Sequence, residues 1–175
     1  GLDFGTTYSS LCYSPADLEN GCVFEAGTAY IPTAVLIRND RTFDIGAAAL
    51  HDGNAGELYR DIKRWVGANH TNFTTFKARL NPQYTVRLDT APSQTVQIGP
   101  VRGDPTKLVR VPDLIYLFTK GLTSIASTLC GKVIERAVCS VPADYNSYRR
   151  SFVHAACSAL NIGMQAVVNE PSAAA

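Results

Sequence analysis

Apolar and polar positions follow two different periods along this chain. Near the amino end the repeat is two, the signature of strands; in the last third it approaches the helical spacing. Leu2-Asp3-Phe4 sets one carboxylate between apolar neighbours and reads as the later half of a buried strand. Gly5-Thr6-Thr7 reads as a tight turn, and Tyr8 to Tyr13 as a strand rich in β-formers. A Pro-containing loop over residues 14–20 follows, then strands at Gly21–Glu25, Ile31–Ile37 and Thr42–Ile45, with a turn at Arg38-Asn39-Asp40. Ala47–His51 predicts a short helix. Glu57–Val66 places Leu58, Ile62 and Trp65 at helical spacing, and Asn72–Leu80 does the same with Phe73, Phe76 and Leu80.

Tyr84–Leu88 and Thr95–Ile98 alternate with period two around Pro92-Ser93 and predict an antiparallel pair. Pro112 suits the first turn of a helix running to about Leu129, and Gly131 is placed to end it. Val133–Val141 predicts a strand, Asn146 an N-cap for a helix to about Leu160, and Met164–Val168 a strand. Asn169-Glu170-Pro171 opens a last helix. A β meander followed by β-α-β-α predicts an α/β fold.

Composition narrows the function classes. Hydrophobic residues make up 46% of 175, enough for one sizeable core and too many for a disordered chain. Sixteen Lys+Arg against fifteen Asp+Glu leave a formal charge of +1, which argues against a broad electrostatic grip on nucleic acid or on an acidic membrane. No apolar run nears the roughly 20 residues that would span a bilayer. The five cysteines are odd in number and irregular in spacing, without a C-x-x-C pair. That predicts neither a disulfide framework nor a zinc site, and it points to a reducing compartment. His51, His70 and His154 show no metal-ligand spacing, and the sequons at Asn69 and Asn72 carry little signal. Gly1 is not an initiator Met, and Ser172–Ala175 is helix-forming without a C-cap signal, so the sequence is expected to be an internal piece of a longer protein.

Four segments carry candidate chemistry, and each has a plain structural reading beside it. Asp3 ahead of Gly5-Thr6-Thr7 fits a phosphate cradle with Mg²⁺ held nearby through water; it also fits an ordinary hairpin. Lys63 and Arg64 in Asp61-Ile62-Lys63-Arg64-Trp65, read alone, form a solvated basic face with a core Trp. Val141-Pro142-Ala143 with Asn146 and Arg150 is explained from within as a strand, a turn and a capped helix. Glu170, at a strand end beside a helix N-terminus, is a site carboxylate or a capping group.

In order and in register, these segments resemble the heat-shock protein 70 family. Leu2 to Ser9 looks like that family's first phosphate loop. Lys63 matches its catalytic lysine, Val141-Pro142-Ala143 with Asn146 and Arg150 its Val-Pro-Ala segment, and Asn169–Ala175 its Asn-Glu-Pro-Thr-Ala-Ala-Ala segment. The Asp144-Tyr145-Asn146-Ser147 departure, Lys-Arg-Trp at 63–65 and the diverged stretch 81–111 look more like the homologues that closteroviruses encode.

The resemblance implies the actin-like ATPase (ribonuclease H-like) fold. Residues 1–175 would be the first lobe of a nucleotide-binding domain truncated at both ends. It implies ATP and Mg²⁺, and hydrolysis by in-line attack of water. The Gly5, Thr6, Thr7 and Tyr8 backbone would cradle phosphates, and Asp3 would reach Mg²⁺ through water. Lys63 and Glu170 would act at the reacting phosphate, with Thr6 beside them, while Pro142 and Arg150 would relay the nucleotide state to a partner domain. Expected partners are ATP/ADP and protein clients, or viral coat and movement proteins, with no direct nucleic-acid contact and no membrane span. The expected place is the host cytoplasm, with the virion and plasmodesmata added for a viral protein, and the expected roles are virion assembly and cell-to-cell movement. The second phosphate loop, the adenosine pocket and any peptide-binding domain would lie beyond Ala175, so residues 1–175 alone are expected to be inactive. Two alternatives stay open: an assembly protein that keeps the fold with little turnover, and another actin-fold ATPase or kinase. The Lys63 and Val141-Pro142-Ala143 segments speak against the second.

Overall fold

The computed structural model describes residues 1–14, 21–23, 27–51, 56–90 and 95–174. The first half is mostly strand: β1 (Leu2–Asp3), β2 (Tyr8–Tyr13), β3 (Gly21–Cys22), β4 (Ile31–Pro32), β5 (Val35–Arg38) and β6 (Phe43–Ile45). There follow α1 (Gly46–His51), β7 (Gly56–Tyr59), a 3-10 helix (Ile62–Trp65) and α2 (Phe73–Leu80). The rest comprises β8 (Val86–Leu88), β9 (Val96–Ile98), β10 (Val109–Arg110), α3 (Val111–Cys130), β11 (Arg136–Val141), α4 (Ser147–Ala159), β12 (Gly163–Asn169) and α5 (Glu170–Ala174). The loop expected at 15–20, the end of the strand expected over Gly21–Glu25 and the Pro92-Ser93 link lie outside the described residues.

The central sheet runs β12-β11-β1-β2-β3, with β4 also paired to β2. β1 is antiparallel to β2 and parallel to β11, and β11 is parallel to β12. Gly5-Thr6-Thr7 turns, as predicted, between two strands, which pair antiparallel, and the predicted Met164–Val168 strand proves to lie in the same sheet. Two smaller sheets, β6-β5-β7 and β10-β9-β8, flank it, the second containing the predicted antiparallel pair.

α3 binds these layers together. Its apolar stripe of Val111, Leu114, Ile115, Phe118, Leu122 and Ala126 is buried, and Phe118 meets Phe4 from beside β1 with ring centroids 5.7 Å apart. A helix that is apolar along one stripe gains most of its stability from that burial. Pro112 sits in its first turn, and Gly131, in the left-handed conformation at φ 66°, ends it. Asn146 caps α4 as predicted, its Oδ1 accepting the Arg149 N–H at 3.0 Å.

Several expectations are corrected. Glu57–Val66 is not one helix: Leu58 and Tyr59 are both buried, so neighbouring side chains serve opposite faces, as in a strand paired to β5. Asp61, at φ 59°, then redirects the chain into the 3-10 turn. Ile31–Ile37 divides at Thr33-Ala34, because the chain leaves β2 there and enters a different sheet. The strand expected from Val133 begins at Arg136, with Val133 itself exposed. Leu2 and Phe4 are buried while Asp3 between them is exposed, so the first strand carries its carboxylate outward.

The cysteine expectation is also overturned. Cys12 and Cys22 form a disulfide, while Cys130, Cys139 and Cys157 are free and buried. The pairing follows from register, since β2 and β3 place Cys12 directly opposite Cys22 and Tyr13 opposite Gly21. Counting and spacing cannot show a cross-strand pair. A link closing so short a loop contributes roughly 2–4 kcal/mol, mainly by restricting the unfolded chain. We expect two of the five thiols to resist alkylation in unreduced, denatured protein. Dithiothreitol should then lower the unfolding free energy by about that amount in urea melts. Labelling of all five thiols before reduction would show that the pair is not formed.

Candidate functional site

A cleft of about 460 Å³ opens where the ends of β1, β11 and β12 meet the 3-10 helix. Asp3, Gly5, Thr6, Lys63, Pro142 and Glu170 line it together. These residues are far apart in the chain, and the sheet topology gathers them.

The turn after β1 is shaped by what Gly5 lacks. A Cβ on Gly5 would lie 1.7 Å from the Tyr8 carbonyl oxygen, so no side chain fits there. Two buried hydroxyls hold the turn from behind. The Gly5 N–H donates to Ser9 Oγ at 3.0 Å, and Ser9 Oγ and Thr33 Oγ1 share a bond of 2.8 Å. Thr33 Oγ1 donates to the Gly5 carbonyl at 3.0 Å, and the Thr33 N–H donates to the Thr7 carbonyl at 2.9 Å. Thr6 faces the cleft, whereas Thr7 and Tyr8 are exposed and outside its lining.

Lys63 overturns the solvated-face reading. It is only 8% exposed, and its Nζ donates to Glu170 Oε1 at 2.9 Å. The 3-10 turn directs it inward, because Ile62 and Trp65 on either side are anchored in the core. Trp65 in turn donates its Nε1–H to the Tyr84 hydroxyl at 3.0 Å. A buried ammonium needs such a partner, since desolvating a lone charge is expensive. Asp3 Oδ1 accepts from Ser140 Oγ at 2.7 Å, which orients the carboxylate at the cleft rim.

Pro142 lines the cleft but Arg150 does not. Arg150 lies behind it, donating from Nε to the Tyr145 carbonyl at 2.9 Å and from Nη2 to Asn169 Oδ1 at 2.6 Å. The turn after β11 is thus tied to the residue preceding Glu170. Tyr145 stands between the two halves of the site, with Lys63 Nζ 5.8 Å from its ring centroid. Burial pushes the Tyr145 phenol up to about 12, against the pull of Arg149, so it stays neutral at physiological pH. Burial likewise pushes the Cys139 thiol, on the strand beside Asp3, up to about 12 and leaves it unreactive.

Sequence reading placed Ser9 in the phosphate loop but missed Thr33, Ser140, Tyr145 and Arg149 as parts of this site. Only Thr33 left a signal, a hydroxyl inside the apolar run Ile31–Ile37. The sequons at Asn69 and Asn72 are part of a local turn. Asn69 Oδ1 accepts from Thr71, and Asn72 donates to the Gly67 carbonyl and accepts from the Asn69 N–H.

Among the described residues, no group of three or more His, Cys, Asp or Glu could hold a metal ion. The cleft instead offers the separate carboxylates of Asp3 and Glu170 beside a glycine turn open to close approach. That donor set fits Mg²⁺, which takes one or two carboxylates and fills its other positions with water and phosphate oxygens.

The family described as "Hsp70 protein" matches residues 1–175. The chain is 41% identical to the movement protein Hsp70h of Grapevine leafroll-associated virus 3, over all of this chain and 32% of that protein. It is 37% identical to the movement protein Hsp70h of Beet yellows virus, over all of this chain and 30% of that protein. A cellular relative, the heat shock 70 kDa protein BIP3 of Oryza sativa, is 27% identical over all of this chain and 26% of that protein. The chain therefore spans about a third or less of the length of these relatives.

The bracing hydroxyl gives the turn a testable dependence. Thr33→Val keeps the shape of the side chain but leaves Ser9 Oγ and the Gly5 carbonyl short of a partner each. The expected loss is about 1–3 kcal/mol of unfolding free energy, read from urea melts. An unchanged midpoint would mean that the turn does not hang on this hydroxyl.

Proposed function

The chain belongs to the Hsp70 family, and from that membership and the shape of its cleft we propose that it binds and hydrolyses ATP with Mg²⁺ as part of a longer protein. Its fold is that of the first lobe of an actin-like ATPase, and residues 1–175 would form the amino-terminal part of the nucleotide-binding domain. The observation that carries the reading is the Lys63–Glu170 pair at 2.9 Å, set across the cleft from the Gly5-Thr6-Thr7 turn. A phosphate chain needs backbone donors and a positioned cation, and the reading is supported by Gly5, Thr6 and Lys63 lining the same cleft.

In this proposal the N–H groups of Thr6, Thr7 and Tyr8 cradle the phosphates. Asp3 and Glu170 would hold Mg²⁺, Asp3 through water, and the ion would neutralise developing phosphate charge. Lys63 screens the same charge and orients a water for in-line attack on the terminal phosphorus. The bond to the bridging oxygen breaks, leaving ADP and inorganic phosphate. Catalysis of this kind is mostly positioning and charge stabilisation. Pro142 and Arg150 carry the state of the cleft outward, since Arg150 ties the Tyr145 carbonyl to Asn169 beside Glu170.

The viral relatives are movement proteins by name, which supports a role in movement. We extend this to virion assembly and cell-to-cell movement in the host cytoplasm, with viral coat and movement proteins or other protein clients as partners. No helix among the described residues is long and apolar enough to cross a membrane.

Single-turnover hydrolysis of Mg-ATP by the full-length protein tests the catalytic roles. Asp3→Ala and Lys63→Ala should each slow the chemical step about 10²- to 10³-fold while leaving the folded fraction, read by circular dichroism, near that of the parent. Parent rates in both variants would reject these roles and favour an assembly protein with little turnover.

A further inference from the structure

Four cations line the cleft, and Lys63 accounts for only one of them. The lining holds Lys63, Arg64, Arg79 and Arg149 against Asp3, Asp144 and Glu170. Lys63 is matched by Glu170, and Arg64 by Asp61 at 3.3 Å. Arg79 lies over the Phe76 ring, 4.9 Å from its centroid. Arg149 is held differently. Its guanidinium sits 5.5 Å from the centroid of Tyr145, in the turn before α4, and 5.8 Å from that of Phe76 on α2. Its stem packs on Gly67, where a Cβ would come within 2.6 Å of Nε. The side chain is 24% exposed, and its partner Asp144, at 3.4 Å, is itself 77% exposed.

This arrangement holds the guanidinium in place while committing one donor, Nη1, to Asp144 Oδ2 at 3.4 Å. Two rings lie near its charge, the missing side chain at Gly67 makes room for the stem, and a long ion pair to a solvated carboxylate contributes little. Arg carries five N–H donors in a rigid fork suited to phosphate oxygens. Lys63 Nζ and the Arg149 guanidinium lie 5.8 Å and 5.5 Å from the Tyr145 centroid, and both residues line the cleft. Two like charges lining one cleft favour an anion bound in it.

We propose that Arg149 is a further nucleotide-binding residue of this site, contacting the terminal phosphate of ATP alongside Lys63. The inference rests on the ATP-binding reading above and adds to it the residue that separates triphosphate from diphosphate. Arg149 binds here; no bond-breaking step is assigned to it.

The test is calorimetric titration of the full-length protein with Mg-ATP and, separately, Mg-ADP. Arg149→Ala should weaken ATP about 10- to 100-fold, the loss of one or two charge-assisted hydrogen bonds, and should change ADP less than about twofold. Arg149→Lys, which keeps the charge but not the fork, should recover part of the ATP preference. A purely structural clamp between α2 and α4 would behave otherwise. Its loss would lower thermal stability, would weaken both nucleotides alike and would not be rescued by Lys. Equal changes for ATP and ADP, or no change for either, overturn the proposal while leaving the ATP-binding reading intact. If the parent protein binds neither nucleotide, the ATP-binding reading fails first and this inference falls with it.

Discussion

The buried ammonium of Lys63 is the constraint on which the cleft depends. Leaving it unpaired at 8% exposure would be strongly destabilising, so the fold must deliver a carboxylate to it. The carboxylate comes from Glu170, 107 residues further along the chain and in a different element. The pair therefore ties the 3-10 turn after β7 to the end of β12. As an energy term it is not large, because the desolvation of Lys63 offsets much of its attraction to a carboxylate that is itself partly in water. Its value is positional: the cation can be satisfied in one arrangement of these two elements.

The second support is the pair of hydroxyls behind the Gly5 turn. β1 is only two residues long, too short to hold a turn by ladder bonds alone. Ser9 and Thr33 supply the missing rigidity from β2 and from the residue after β4. Both hydroxyls are nearly inaccessible to water, so each bond is made where water cannot compete for it. This also explains why Ile31–Ile37 does not continue as one strand. Thr33 is spent on the turn, and the chain bends there into the next sheet.

Most of the long elements were legible in the residues themselves. α3 and α4 announced themselves by apolar spacing, a Pro near the start, a Gly at the end and an Asn cap, all signals within a few residues of where they act. β8 and β9 were legible from alternation. What failed did so for a common reason: the deciding contact was far away in sequence. Leu58 and Tyr59 keep helical spacing with their neighbours, yet pairing with β5 makes them a strand. Cys12 and Cys22 meet through strand register, which the spacing does not encode. The site was legible in its chain-local parts, Asp3, the glycine turn, Lys63 and Glu170. The residues that hold those parts in place were not, because Thr33, Ser140 and Tyr145 look ordinary until the sheet brings them together.

Glu170 is constrained from two directions, and the two differ in kind. Its carboxylate is held by Lys63, an ion pair that another cation or a bound anion can exchange. Its neighbour Asn169 is held by Arg150, which is also bonded to the Tyr145 carbonyl, a contact made inside the fold and away from the cleft lining. Glu170 is therefore positioned by two elements at once: its carboxylate by the 3-10 turn, through Lys63, and its backbone by the register of β12 with β11, which reaches Asn169, and by the Arg150 bond to that residue.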